Sequence, residues 1–238
     1  MKKKFMASAT CLALLLIMFL GSSLAWFTDS KANVNTMVAG KISIVQTETG
    51  ENGEAFANNK YVMMPSQSVT KNVVVQNTGN HPCYVRSLFA FEDSADGKVL
   101  KMISTPGANI VIPGVTDPSQ EKIQFTVTKG TKTTLFTVGY VHSQKLEVSG
   151  ANSMFNPLQS VKLSEDADNS WQTQVDGYYE LIVLSQASQT AGLGDAADGA
   201  LDTAFGVIDS KNCVKWFKYV LENTTGYGNF AIAGYSAP

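Results

Sequence analysis

Two histidines, three cysteines and a few clustered acids are the residues of this chain best suited to chemistry. His81 lies two residues from Cys83. A thiol nucleophile needs a base within hydrogen-bond reach, but Pro82 fixes the backbone between the two and aims them at nothing obvious. His142 closes an apolar run, and both histidines read as surface residues. No HExxH motif is present, so the commonest zinc-protease arrangement is missing. A zinc site would have to be assembled from His81, His142 and a distant carboxylate such as Asp176 or Glu180. No GxSxG motif marks a serine nucleophile. Glu92, Asp93 and Asp96, and Glu165, Asp166 and Asp168, could offer carboxylate oxygens to calcium. Neither group has EF-hand spacing, and both read as solvated acidic loops. The expectation is therefore no catalytic set, no cofactor and no metal. Asn223-Thr224-Thr225 is a glycosylation sequon, whose meaning depends on the host.

The strongest signal for location lies at the start of the chain. Lys2, Lys3 and Lys4 form a basic head, and 12–20 is an apolar core too short for the ~20 residues of a comfortable bilayer span. Small residues follow, with Ser23 and Ala25 at the −3 and −1 positions of a cleavage site before Trp26. This three-part layout is that of a secretory signal peptide over 1–25, and an uncleaved anchor is the alternative. No second long apolar run follows, so the processed chain is expected to be free of the membrane.

Cleavage leaves 26–238, which reads as a single domain without a Pro-rich or Gly/Ser-rich linker. With the three signal lysines removed from 18 basic residues, 15 face 20 acids, a net charge of −5. No basic stripe is visible, which argues against nucleic acid as a partner. Cys11 is lost with the signal. Cys83 and Cys213 remain in an exported chain, where they either pair as a disulfide or pack as two free thiols.

Alternating apolar and polar residues from Met37 onward have the period of half-buried strands. Strands are expected at 38–45, 56–64, 69–76, 83–91, 109–112, 122–128 and 134–141, with a polar turn at 48–54. The pair 122–128 and 134–141 reads as a hairpin. Residues 149–172 are polar and irregular, and 178–186 reads as a central strand. Residues 195–205 are Ala-rich with acids near the start and predict a helix, with Leu201, Ala204 and Phe205 on its apolar face. Residues 212–221 and 227–232 read as closing strands, although Val214, Phe217 and Leu221 also fit a short helix. The fold class is all-β: a β-sandwich with Greek-key or jelly-roll connections and one short helix.

Three stretches carry a family resemblance. The first is Ala25-Trp26-Phe27-Thr28-Asp29-Ser30, then Asn35, Val38-Ala39-Gly40 and Ile42-Ser43-Ile44. The second runs from Met64-Pro65-Ser66 through Val73-Val74-Val75-Gln76 to Asn77-Thr78-Gly79. The third is the strand from Tyr179 to Gln186, then Gln189-Thr190 and Ala204-Phe205-Gly206. In this order, behind an export signal, they resemble the TasA/camelysin family of Gram-positive exported proteins. Residues 92–172 and the tail after 206 carry no match.

The resemblance implies a jelly roll, processing by a dedicated ER-type signal peptidase, and polymerisation into extracellular fibres of a biofilm matrix. In such fibres the mature N-terminal segment is donated to the next subunit, another copy of the chain or a related matrix subunit. Here that segment would comprise Trp26, Phe27, Asp29, Val38, Gly40, Ile42 and Ile44. The alternative is that 26–45 folds back as the chain's own first strand. Besides a fibre subunit, an exported binding module is a second reading. A camelysin-like surface metalloprotease is the third, although no zinc-ligand set is recognisable.

Overall fold

The apolar run from Cys83 is the axis of the fold. In the computed structural model, which describes residues 41–56, 63–167, 179–193, 196–224 and 227–235, it forms the eleven-residue strand β3 (Cys83–Asp93), almost wholly buried. Side chains of a strand alternate between faces, and β3 is covered on both. Phe89 and Phe91 point one way, into a cluster with Val73, Leu158 and Val161. Leu88 and Ala90 point the other way, toward Phe125, Phe136, Val138, Trp216 and Phe217. Cover on both faces explains why this strand reads as continuously apolar rather than alternating.

Two antiparallel sheets result. One holds β1 (Ile44–Thr49), β2 (Ser68–Asn77), β7 (Met154–Leu163) and the two-residue β4 (Ile103–Ser104), in the order β1-β2-β7-β4. The other holds β8 (Leu181–Gln189), β3, β6 (Lys132–His142), β5 (Gln124–Lys129) and β9 (Ala231–Gly234), in the order β8-β3-β6-β5-β9. The chain changes sheet between β2 and β3, β3 and β4, β4 and β5, β6 and β7, and β7 and β8. This is jelly-roll connectivity, and the expected all-β sandwich is the observed class. The β5–β6 hairpin turns at Gly130, whose φ of 59° suits the tight connection. Gly139 on β6 leaves room for the 105–123 excursion: a Cβ there would lie 2.8 Å from Ile110 and 2.9 Å from Ile112.

Helices cover the outer face of the β3 sheet. Besides the single turn α1 (Lys98–Lys101), there are α2 (Ala197–Phe205) and α3 (Ser210–Glu222). The helix expected at 195–205 is α2, but its buried face is Ala200 and Leu201, while Ala204 and Phe205 are exposed. The strand expected at 212–221 is instead the thirteen-residue α3. Cys213, Trp216, Phe217 and Leu221 recur at helical spacing and are all buried. Asp209 caps its start, accepting from the Asn212 N–H at 2.7 Å. Phe217 stacks on Phe125 with ring centroids 5.1 Å apart.

Other expectations need correction. The first strand runs over Ile44–Thr49, later than 38–45, because Gln46 and Glu48 face the sheet interior beside Val75 and Val73. Glu48 pairs there with the buried Lys71, whose ammonium sits 4.0 Å over the Phe56 ring. Much of 56–64 lies outside the described residues, and Met63 and Met64 are not in a strand. At 109–112 only an isolated bridge forms, from Val111 to Tyr140. Residues 149–172 contain β7, flanked by β2 on one side and, over two residues, by β4 on the other. Pro157 disguises it, having no N–H for the ladder, and the register against β2 shifts between Thr70 and Val75 to accommodate it. β8 lies at a sheet edge rather than the centre. It is apolar because Ile182 and Leu184 serve one cluster while Leu181 and Val183 serve another.

Candidate functional site

The segment leading into β1 is tied down by backbone contacts. The Lys41 N–H donates to Asn80 Oδ1 at 2.6 Å, and the Asn80 N–H donates to the Lys41 carbonyl at 3.0 Å. The N–H groups of Thr78 and Gly79 both donate to the Ser43 carbonyl. Gly79 is required for this approach, since a Cβ there would sit 2.3 Å from Lys41 O and 2.9 Å from Ser43 N. Ile42 and Ile44 then pack beside Val75, Cys83, Val85 and Leu146. Of the expected polymerisation strand, Ile42 and Ile44 therefore belong to the chain's own core, as the fold-back alternative requires. Trp26, Phe27, Asp29, Val38 and Gly40 lie outside the described residues, as do the cleavage positions Ser23 and Ala25.

Cys83 and Cys213 are free thiols, and the geometry of β3 excludes the disulfide. Cys83 shares the inter-sheet face with Val85, while Cys213 lies on α3 against the opposite face. Burial pushes the Cys83 thiol up to about 11 and the Cys213 thiol up to about 12. Both are therefore protonated and poor nucleophiles. His81 is exposed beside Asn80.

The acids around 92 are not a solvated loop. Glu92 is 3% exposed and accepts from the Glu180 N–H at 2.8 Å. Asp93 is 6% exposed and accepts from the N–H groups of Ser94 and Leu100 and from the Thr137 hydroxyl. Only Asp96 behaves as expected: Lys98 and Ser94 hold its carboxyl well below the usual range. Glu165 and Asp166 are exposed, and Asp168 and Asp176 lie outside the described residues.

A second buried polar constellation among the described residues has no counterpart in the sequence motifs. Arg86, the only arginine of the chain, is fully buried on the helix-facing side of β3. Its Nε donates to Gln186 Oε1 of β8 at 2.7 Å, Nη1 to Asp202 Oδ1 of α2 at 2.8 Å, and Nη2 to the Gly206 carbonyl at 3.0 Å. The guanidinium lies 4.7 Å from the Trp216 ring and 5.8 Å from that of Phe205. It thereby joins β3, β8, α2 and α3. A lone arginine inside CYVRSLFAF was the available signal: a cation in a two-faced apolar strand must find partners.

Beside it opens a cleft of about 430 Å³, lined by Tyr140, His142, Ala197, Asp198, Asp202, Val207 and Ile208. His142 is half-buried rather than a surface residue, because α2 covers the end of β6. Its Nε2 is buried without a hydrogen-bond partner. Burial, with the Arg86 charge adding to it, holds the imidazole below its ordinary pKa despite Asp198 and Asp202. Among the described residues no three His, Cys, Asp or Glu side chains are grouped to hold a metal ion. Nor is any described helix long and apolar enough to cross a membrane. No protein-family model matches the sequence. No curated protein matches it significantly.

Proposed function

We propose that the chain is a secreted structural subunit of extracellular fibres or matrix, without catalysis, that polymerises when its mature N-terminal segment adds to a neighbouring copy. The observation that carries the reading is the state of one sheet edge. β7 is ten residues long, yet on the side away from β2 its only strand partner among the described residues is β4, at Leu163 and Lys162. Among the described residues no strand flanks the stretch from Met154 to Val161 on that side, and Met154 is 54% exposed. Such an edge offers N–H and C=O groups to an incoming strand. A strand added there gains main-chain hydrogen bonds and seats alternate side chains.

Two further points support the reading. The jelly roll is the fold that the TasA/camelysin resemblance implies. With Ile42 and Ile44 already committed to the chain's own core, the donated segment narrows to 26–39. A head-to-tail contact of this kind does not close, so it builds filaments. The test is negative-stain electron microscopy of chain 26–238 beside one beginning at Gly40. Filaments from the first and monomers from the second are expected. Monomers from both, across several pH and salt conditions, would refute the proposal and favour an exported binding module.

A further inference from the structure

The outer faces of the two sheets differ in cover and in charge. On the β3 sheet lie α2 and α3, and α3 turns Lys211, Lys215, Lys218 and Glu222 to solvent. The outward residues of β1, β2 and β7 are all exposed or half-buried. They are also nearly free of charge. Register sets Val45 of β1 beside Gln76 of β2, and Gln76 beside Met154 of β7. Thr47 lies beside Val74, Thr49 beside Asn72, and Thr70 beside Ser160. The one charge is Lys162, beside Ser68 at the far end. A soluble surface is normally ~25–35% charged, and depletion of charge is what marks the core of an interface. Val45 and Met154, 50% and 54% exposed, add apolar area to it.

We propose that this face docks a second copy of the chain, the two sheets stacking outer face to outer face about a two-fold axis. Such a contact sets a surface against itself, so the surface must be self-complementary. Charged groups fail that condition, because each meets its own kind. Thr, Ser, Asn and Gln satisfy it, since each carries both a donor and an acceptor. Every polar residue of the face is one of these four except Lys162, and an axis running across the strands keeps the two Lys162 side chains at opposite ends. Other occupants fit less well. No outward residue of these strands is aromatic, so a sugar ring finds nothing to stack on. A single lysine is too little for a polyanion. The strands span six, ten and ten residues, a footprint of about 400 Å² at ordinary strand spacing. A stable pair buries roughly 800 Å² on each partner, so this contact is weak and forms at high local concentration. It uses a sheet face rather than an edge and does not rest on the fibre reading. Within a filament it would join neighbours side by side, where many weak contacts add.

Sedimentation velocity of chain 26–238 over a range of concentrations reads the contact. Where the chain assembles into filaments, negative stain reads whether they lie side by side or singly. Concentration-dependent association, or side-by-side filaments, is expected. Val74→Lys and Val74→Glu each put a charge on the middle strand of the face, opposite its own copy, and should each weaken association about tenfold or more. Mixed in equal amounts, they set opposite charges together and should recover most of it, which loss of folding could not do. Thr47→Lys with Thr47→Glu is a second such pair, at an exposed side chain outside the core. A wild type that stays monomeric, or whose filaments stay single, at every concentration would overturn the proposal. So would undiminished association in the charge variants, or no gain on mixing. Association gained only when the chain begins at Gly40 would overturn it too, by showing that 26–39 occupies the face. Association without filaments would count against the fibre reading alone.

Discussion

Arg86→Met separates a clamp from a passenger. Methionine keeps most of the length and packing of the side chain but removes three hydrogen bonds and a charge. The Asp202 side chain is 37% exposed, so it regains water and its lost partner alone matters little. Gln186 and Gly206 differ, since their bonds to Arg86 are buried and part-buried respectively. Gln186 is 8% exposed, and a buried acceptor left without a donor costs about 1–3 kcal/mol. Against these losses, methionine no longer holds a cation at 0% exposure. Replacing buried ionic groups by apolar ones recovers about 1–4 kcal/mol in favourable cases. The balance is a destabilisation of about 1–3 kcal/mol, concentrated on α2. Native-state hydrogen exchange reads this locally. The Ala200 and Gly206 amides, which donate to Ala196 O and Asp202 O, should lose protection. The Val138 amide, which donates to Ile123 O inside the β3 sheet, should keep it. Unchanged protection of α2, or a more stable variant in urea unfolding, would show that Arg86 is not what docks the helices.

Other consequences follow from the same geometry. The chain 26–238 should keep its full reduced mass under non-reducing conditions, and Cys83 and Cys213 should react with a thiol reagent only after unfolding; a mass two hydrogen atoms lighter would mean a disulfide and refute the separation of the two thiols by β3. Gly79→Ala sets a Cβ against the backbone of Lys41 and Ser43; equilibrium unfolding should show a loss of about 1–3 kcal/mol, with β1 amides exchanging faster, and a neutral effect would contradict the close approach. His142 faces Arg86 from β3 and Asp198 and Asp202 from α2, and its folded pKa lies below the unfolded value of 6.5. As pH falls below that value the unfolded chain takes up the proton first, so stability should decline until the folded pKa is reached and then level off. His142→Gln should flatten that part of the stability profile, and an unaltered slope would count against the burial.

Which features were legible follows from how many faces each segment buries. The hairpin of β5 and β6 could be read because its turn and alternation agree. The strands β2 and β3 could be read because each apolar run is bounded by turn residues. Segment 210–222 was ambiguous, since Val214, Phe217 and Leu221 fit more than one period. Cys213, Trp216 and Phe217 together with the Asp209 cap resolve it as a helix only once the sheet beneath is known. The apolar run of β8 reads as a central strand, because sequence records that both faces are covered and not whether both edges are paired. β7 was hidden by Pro157, whose effect depends on a register shift that only the partner strand reveals.

The same limit applies to the sites. Arg86 was visible as the only arginine of the chain, set in an apolar strand. Its partners come from residues 100, 116 and 120 positions away, beyond any local motif. The disulfide was open for a related reason: spacing cannot tell which side of β3 a cysteine takes, while strand parity can. Parity also bears on assembly. With the outer face of the β3 sheet covered by α2 and α3 and the inner face filled by the other sheet, any strand added to this fold must come at an edge: beside β7, which past Leu163 and Lys162 has no further partner on the β4 side among the described residues, or along an outer edge such as that of β8 or β1.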